Sequence, residues 1–289
     1  MEEDLTKLIP DEDLQFISKW TSEPNLETLR AHIIKLWLIC KKNYHAYRCI
    51  ERFMFLKPRL SKHFAYQSLL AKLKSVDQPL QSSKKVIDLG CCFGQEVRQL
   101  ILEGISTKDI YAADIHDGYW NAGREFFMDN LSHLSTKLDG ITTIFEDFAK
   151  PYPLTNDYTD RVVDSLANNF EAVICQMVFH VLTKEQTENL TKRMGDMLKN
   201  GGILIGSCVG SREEAACSGT TPKGDGLRYI HSLKSLKELL NEHGFIDVDV
   251  KEILLNAQDA KKYKNETQMM EGKQEEIKKC RYEFVGYKK

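Results

Sequence analysis

The spacing of apolar positions divides the chain into a helical first part and a second part in which strands and helices alternate. Up to about residue 83 the apolar positions recur with a period close to 3.6, most clearly between residues 33 and 39. From residue 84 onward, short apolar runs alternate with amphipathic segments, which is typical of a parallel sheet with right-handed crossovers. We therefore expect a helical N-terminal cap over residues 1–83 and a second domain over residues 84–289.

The second part predicts a sheet whose last strand runs against the others. The predicted strands are residues 85–89, 110–114, 141–145, 170–176, 203–208, 246–255 and 282–287. The predicted helices between them are residues 95–102, 118–130, 159–167, 184–198 and 232–243. The Gly-, Ser- and Thr-rich residues 210–226 predict a mobile lid. The expected fold class is α/β: a Rossmann-like, seven-stranded, mostly parallel sheet with an antiparallel last strand, covered by the N-terminal helices.

The ends of the first two predicted strands carry the most informative pattern. Asp88 is followed by Gly90 and Gly94, and the next strand ends in Asp114. Glycines let the backbone approach a ligand closely, and an acid after the second strand can accept hydrogen bonds from ribose hydroxyls. The spacing lacks the third glycine that dinucleotide enzymes use against a pyrophosphate. S-adenosylmethionine has no phosphate, and its ammonium group favours a nearby carboxylate, so the pattern predicts this methyl donor as the cofactor.

Composition narrows the classes of partner. The formal net charge is -2 and the isoelectric point is near 6.5, so no electrostatic footprint for nucleic acid or an anionic membrane is expected. The eight cysteines have neither metal-ligand spacing nor the pattern of a secreted disulfide framework. The acidic N-terminus has no apolar signal core, and no uncharged run is long enough to span a bilayer. We expect a cytoplasmic protein with a small-molecule substrate and no metal, and a homodimer stays open.

With these residues in view, the chain resembles class I S-adenosylmethionine-dependent methyltransferases. More narrowly, it is similar to a fungal-type branch that methylates carboxyl or hydroxyl groups of secondary metabolites such as meroterpenoids and polyketides. The string at residues 87–95, the segment at residues 47–56 and the segment at residues 228–232 carry this resemblance, which covers about residues 40–250. The chain departs from the branch in its lysine content and in a longer insert at residues 257–279. These departures concern the substrate more than the fold.

The resemblance implies a set of cofactor-binding residues. They are Asp88, Gly90, Gly94, Asp114, Ile115, Asp147, Phe148 and Gln176. Asp88 would face the methionyl ammonium, Asp114 the ribose and Asp147 the adenine amine. Ile115 and Phe148 would pack beside the adenine. Each residue type also has a purely structural alternative, namely a strand-to-helix turn, a helix cap or a surface turn.

The acceptor side of the site is less specific. His180 follows the fourth predicted strand and could act as general base on a hydroxyl, or it could merely orient its loop. A carboxylate acceptor would need no base. The candidate substrate-binding residues are Tyr47, Arg52, Met177 and His231, and Tyr44 lies in the same segment as the first two. Core packing is the alternative role for the aromatic residues among them.

The expected function is therefore S-adenosylmethionine-dependent O-methylation of a carboxyl or hydroxyl group on a small apolar metabolite. One alternative is methylation of a protein or RNA, for which the Lys-rich residues 261–279 offer the only candidate basic groove. Another is a catalytically silent cofactor-binding scaffold that partners an active subunit. A nicotinamide oxidoreductase is disfavoured by the missing third glycine.

Overall fold

The structure, a computed structural model, resolves two compact units built from interleaved segments. It describes residues 5–43, 47–75, 84–151, 165–221, 224–254, 267–270, 273–276 and 279–289. The first unit comprises Met1–Lys62 and Cys91–Phe145, and the second comprises His63–Gly90 and Glu146–Lys289. This division follows spatial packing, and the domain boundary expected near residue 83 stays a prediction. Tyr44 lies outside the described residues, as does most of the helix predicted at residues 159–167.

The central sheet has seven strands in the order β3-β2-β1-β4-β5-β11-β8. The strands of the described chain are β1 (Val86–Leu89), β2 (Ile110–Asp114), β3 (Thr142–Phe145), β4 (Phe170–Gln176), β5 (Leu198–Ser211), β6 (Ala215–Thr221), β7 (Gly224–Ile230), β8 (Phe245–Ile253), β9 (Thr267–Met270), β10 (Lys273–Glu276) and β11 (Lys279–Lys288). The pairs β2/β3, β1/β4 and β4/β5 are parallel, whereas β11 is antiparallel to both of its neighbours, β5 and β8. The α/β fold class and the antiparallel last strand are confirmed.

The helices lie largely where the apolar spacing places them. They are α1 (Asp11–Thr21), α2 (Leu26–Asn43), α3 (Arg48–Glu51), α4 (Tyr66–Lys74), α5 (Gln95–Leu102), α6 (Asp117–Phe126), α7 (Lys184–Met197) and α8 (Leu233–Glu242). Side-chain capping boxes begin two of them, with Thr183 capping α7 and Ser232 capping α8. A capping box satisfies backbone N–H groups that the first helical turn leaves without a partner. These caps fix where each helix starts after its preceding strand or loop.

One aromatic-rich cluster forms the core of the first unit. It joins the N-terminal helices to side chains that follow β1 and β2. The ring centroids of Trp37 and Phe53 are 5.2 Å apart, and those of Phe55 and Phe93 are 4.6 Å apart. Aromatic pairs at these separations add to the free energy gained from burial alone. The aromatic residues at positions 53 and 55 therefore serve core packing, which is the structural alternative considered for this segment.

A buried ion pair lies beside this core in the first unit. The Arg98 guanidinium pairs with Asp129, and the Trp20 indole N–H donates to Asp129 Oδ1 at 2.9 Å. Arg98 also donates to the carbonyl oxygens of Phe93 and Gly94 at 2.7 and 2.9 Å. Because a buried charge is costly without partners, these contacts make Arg98 a fixed structural element at the start of α5.

The lid predicted at residues 210–226 is wrong. Strand β5 continues to Ser211, and β6 and β7 then pair as an antiparallel hairpin. Ala215 and Cys217 are buried while Ala216 is exposed, so the side chains alternate as a half-buried strand requires. Small residues were interpreted as a sign of mobility, but here they pair as strands. Strand β5 also begins before the predicted residue 203, because the Gly201-Gly202 pair belongs to the strand.

Candidate cofactor and substrate site

In the first unit, Asp114 ends β2 and its carboxylate is oriented by two backbone N–H groups. The Cys92 N–H donates to Oδ2 at 2.9 Å, and the His116 N–H donates to Oδ1 at 3.2 Å. Burial raises the pKa of Asp114, although both N–H groups favour the charged form. Each carboxylate oxygen has lone pairs for a further donor, and the side chain is partly exposed. This is the acceptor geometry that ribose hydroxyls require.

Two tyrosines lie beside this acid. The ring centroids of Tyr47 and Tyr119 are 5.9 Å apart, and both phenols feel the charge of Asp114. Burial above all, with that charge as a further cause, raises the pKa of both phenols, so they stay protonated. The structure thus brings Tyr47, predicted as a substrate-binding residue, next to the predicted ribose-binding acid. Tyr119 was missed because an aromatic residue in an amphipathic helix looks like any other core residue.

Other predicted residues of the first unit have weaker support. Gly94 has a φ of +73°, and an added Cβ would lie 2.6 Å from Trp120 and 2.8 Å from the Arg98 guanidinium. Packing within the unit therefore explains this glycine without a ligand. Arg52 and Ile115 are half-buried, one just after α3 and the other just after β2. Their roles, and the cradle role of Gly94, stay predictions.

In the second unit, the turn after β1 packs against the segment after β4. Gly90 has a φ of +76°, and an added Cβ would lie 2.4 Å from Val178 Cγ2. Only glycine adopts this backbone without strain, and only glycine leaves room for Val178. Asp88 is buried within β1, with 1% of its surface exposed. Gly90 and the segment that carries Met177 and His180 are therefore neighbours.

The end of β4 presents a polar group in need of a partner. The Gln176 side chain is buried, and its Oε1 accepts a hydrogen bond from the Ser207 hydroxyl. Within the described chain, Gln176 Nε2 is buried and has no hydrogen-bond partner. Leaving such a donor unsatisfied costs about 1–3 kcal/mol, so a ligand acceptor is expected there. The carboxylate of a methionyl group would supply one, and the residues present thus fit S-adenosylmethionine. Met177, predicted at the sulfonium, follows directly with a φ of 60°.

Asp147 and Phe148 stand after β3, where an adenine contact was predicted. Asp147 Oδ1 accepts from the Ala149 N–H at 3.0 Å, which is the hydrogen bond of a tight local turn. Phe148 is buried, and Asp147 is partly exposed. The turn accounts for one carboxylate oxygen, so the adenine-binding role of both residues stays a prediction.

Two histidines lie near the end of β4. His180 is half-buried in the single helical turn Phe179–Val181. The Tyr229 N–H donates to the Leu182 carbonyl at 2.7 Å, so the end of β7 runs beside this turn. The ring of His231, just after β7, lies 6.3 Å from that of Phe179. The structure therefore brings the predicted substrate-binding His231 close to the segment of the predicted base, His180.

His231 is almost fully enclosed. Its side chain belongs to a residue that is only 3% exposed, and its Nδ1 lies 3.2 Å from Ser235 Oγ. Burial lowers the pKa of His231 to about 4, although the nearby Glu214 charge opposes that shift. The imidazole is therefore neutral near pH 7. Its Nε2 is buried without a hydrogen-bond partner in the described chain.

Other features bear on chemistry and location. Among the described residues, no group of three or more His, Cys, Asp or Glu side chains could hold a metal ion. All eight cysteines are free thiols. No helix in the described ranges combines the length and the apolar character that crossing a membrane requires.

Comparison with known proteins identifies relatives among fungal methyltransferases. No family model matches the chain. It is 28% identical over 228 residues to an O-methyltransferase of a fungal species, covering 78% of this chain and 67% of that protein. It is 27% identical to an O-methyltransferase of Stereocaulon alpinum, covering 75% and 58%. It is 26% identical to the asnovolin E/chermesin D methyltransferase of Aspergillus novofumigatus, covering 70% and 65%.

Two solved structures also match the chain. An S-adenosylmethionine-dependent methyltransferase from Archaeoglobus fulgidus has a TM-score of 0.49 at 12% identity, covering 84% of this chain and all of that one (100%). Phosphoethanolamine N-methyltransferase 2 of Haemonchus contortus, bound to S-adenosyl-L-methionine, has a TM-score of 0.46 at 13% identity, covering 77% and 51%. The chain spans only 58 to 67% of the length of the three fungal relatives. Their sequence similarity confirms the predicted resemblance, and it agrees with the expected enzyme class and cofactor.

Proposed function

We propose that this protein, which shares sequence with fungal O-methyltransferases, transfers a methyl group from S-adenosylmethionine to an oxygen atom of a small apolar metabolite. The observation that carries the proposal is the Asp114 carboxylate at the end of β2, oriented by the Cys92 N–H of the glycine-containing turn. This arrangement presents an acceptor for two adjacent hydroxyls. A helix cap alone would not require the acid to be tied to that turn.

Several residues would hold the cofactor. Asp114 would accept from the ribose hydroxyls, with Tyr47 beside it. The buried Asp88 would favour the methionyl ammonium, and Gln176 Nε2 would donate to the methionyl carboxylate. Asp147 would accept from the adenine amine. When bound, S-adenosylmethionine supplies an electrophilic methyl group on a positively charged sulfur.

The chain's own contribution to the reaction is positioning. An oxygen nucleophile that attacks a sulfonium methyl neutralises charge, so no oxyanion hole is needed. Holding the acceptor oxygen in line with the methyl carbon and excluding water should supply most of the rate acceleration. A hydroxyl acceptor must also lose a proton, for which His180 was the predicted base and His231 is a second candidate.

The nature of the acceptor is argued from composition and from the relatives. The net charge of -2 offers no broad attraction for a polyanion, which disfavours RNA. The name of the Aspergillus novofumigatus relative states small-molecule acceptors. The free thiols suit the reducing cytoplasm, which we propose as the location. A homodimer is the assembly we would test first by light scattering.

Transfer of a labelled methyl group tests this function. The purified protein would be incubated with labelled S-adenosylmethionine and a fungal metabolite extract, and the mixture partitioned between water and organic solvent. We expect label in the organic phase, and less of it with Asp114→Ala. Label retained on protein or RNA would favour a macromolecular acceptor instead. Cofactor binding without transfer to any fraction would favour a silent scaffold.

A further inference from the structure

We infer that Ser235 and Glu214 hold the neutral His231 ring with its proton on Nδ1, so that Nε2 presents a lone pair to a hydroxyl group of the substrate. The inference rests on the proposed function and specifies its acceptor: a protic oxygen rather than a carboxylate. It makes His231 the catalytic residue that receives the hydroxyl proton. Ser235 and Glu214 act through it as positioning residues.

The three residues come from separate elements of the second unit. Glu214 lies between β5 and β6, His231 follows β7, and Ser235 lies in the first turn of α8. His231 Nδ1 and Ser235 Oγ are 3.2 Å apart. The hydroxyls of Ser235 and Tyr229 both hydrogen-bond to the Glu214 carboxylate. The edge of the Tyr229 ring packs on His231, with centroids 4.7 Å apart.

The direction of the hydrogen bonds follows from a count of protons. Ser235 Oγ has a single proton to donate, and it accepts from the Ser232 N–H at 3.0 Å. The available acceptors are the Glu214 carboxylate and the Ser232 carbonyl at 3.3 Å. A charged acceptor forms the stronger bond, so the proton points to Glu214. Ser235 Oγ is then an acceptor toward His231, and Nδ1 must carry the hydrogen.

This tautomer leaves Nε2 as the accepting nitrogen. Within the described chain, Nε2 is buried and has no partner, and the residue is only 3% exposed. Leaving a buried acceptor unsatisfied is costly, so the structure is incomplete without a donor at this point. A substrate hydroxyl supplies a donor. A carboxylate would instead bring its own lone pairs against that of Nε2, which is unfavourable.

The proposed step balances as a single displacement. The acceptor oxygen forms a bond to the methyl carbon while the carbon–sulfur bond breaks, and that electron pair stays on sulfur. The hydroxyl proton moves to His231 Nε2. The resulting imidazolium keeps its Nδ1 hydrogen bond to Ser235, whose hydroxyl faces the Glu214 charge. Lys184 is the nearby cation that opposes this charge on the ring, and Glu214 is the anion that favours it.

Nitrogen-15 NMR of the histidine rings tests the tautomer without any substrate or cofactor. We expect the His231 spectrum of the wild-type protein to show a protonated Nδ1 and an unprotonated Nε2. Glu214 is exposed, so Glu214→Ala should fold normally, and it should shift the ring toward the Nε2-protonated form. The matched control is Glu213→Ala, at the neighbouring exposed position, which should leave the spectrum unchanged. An Nε2-protonated ring in the wild type would overturn the inference.

Acceptor preference supplies the second test. Labelled transfer would be measured with a panel of phenols and with the matching carboxylic acids. We expect label on the phenols, and a loss of about 10²-fold or more with His231→Gln at unchanged S-adenosylmethionine affinity. Transfer to the acids that His231→Gln does not slow would overturn the inference while leaving the methyltransferase proposal intact. Failure to bind S-adenosylmethionine would instead contradict the proposed function, and the NMR result would still decide the tautomer.

Discussion

The backbone N–H of Cys92 donates to Asp114 Oδ2 at 2.9 Å, and this bond links the turn after β1 to the end of β2. The two segments are separated in sequence by the whole of α5. A carboxylate held in this way keeps a fixed direction, which lowers the entropy that a ligand must lose when it binds. The predicted ribose-binding acid is thus oriented before any cofactor arrives.

The contact between Gly90 and Val178 predicts a specific pattern of stability losses. Gly90→Ala should lower the free energy of unfolding by about 1–3 kcal/mol, since it combines a strained φ with a clash. Gly244 has a similar φ of +84° but nothing within 4 Å of an added Cβ, so Gly244→Ala should show the backbone cost alone. Urea unfolding would compare the two. In a Val178→Ala background the excess cost at Gly90 should disappear, and an undiminished excess would rule out the clash.

Glu96 should make stability depend on pH. Burial raises the pKa of Glu96 to about 7, against the N–H groups of Arg59 and Leu60, which donate to its carboxylate at 2.7 and 3.1 Å. A carboxyl whose pKa is raised on folding stabilises the protein while it is protonated, and this contribution is lost as the pH rises through the folded pKa. Between pH 5 and 8 the wild type should therefore lose about 1–3 kcal/mol relative to Glu96→Gln. Urea titrations at both pH values measure this difference. The exposed Glu125→Gln is the control, and a constant difference between wild type and Glu96→Gln would contradict the prediction.

The Arg98–Asp129 pair should be essential as a pair. Asp129→Ala leaves a fully buried guanidinium without its carboxylate and should cost about 3–5 kcal/mol. The double variant Arg98→Met/Asp129→Leu removes both charges and should be milder than the single one. The exposed Asp139→Ala serves as control and should change little. Thermal unfolding of all four proteins ranks them, and a double variant worse than Asp129→Ala would refute the argument.

The extent of prediction differed between elements for physical reasons. Strands β2 and β4 and helix α5 have their predicted bounds, because each is a short apolar run or amphipathic stretch with a clear break at both ends. The β6–β7 hairpin was missed because its glycines and small polar residues give no alternating apolar signal. Its pairing depends on tertiary neighbours that a single sequence does not reveal.

The same contrast holds for the candidate site. The strand-end position of Asp114 follows from local spacing, since a strand, a glycine-containing turn and a helix precede it in order. The association of Glu214, His231 and Ser235 has no fixed spacing, because three separate elements supply them. The only local sign was the capping box at the start of α8, which places Ser235 at its third helical position.

Calorimetric titration with S-adenosylmethionine tests the central claim most directly. The wild-type protein should bind the cofactor, and Asp114→Ala should bind it at least about tenfold more weakly, a loss of about 1.4 kcal/mol. Asp139→Ala, which removes an exposed acid of the same unit, should bind like the wild type. No binding to the wild type, or equal affinity in Asp114→Ala, would contradict the account.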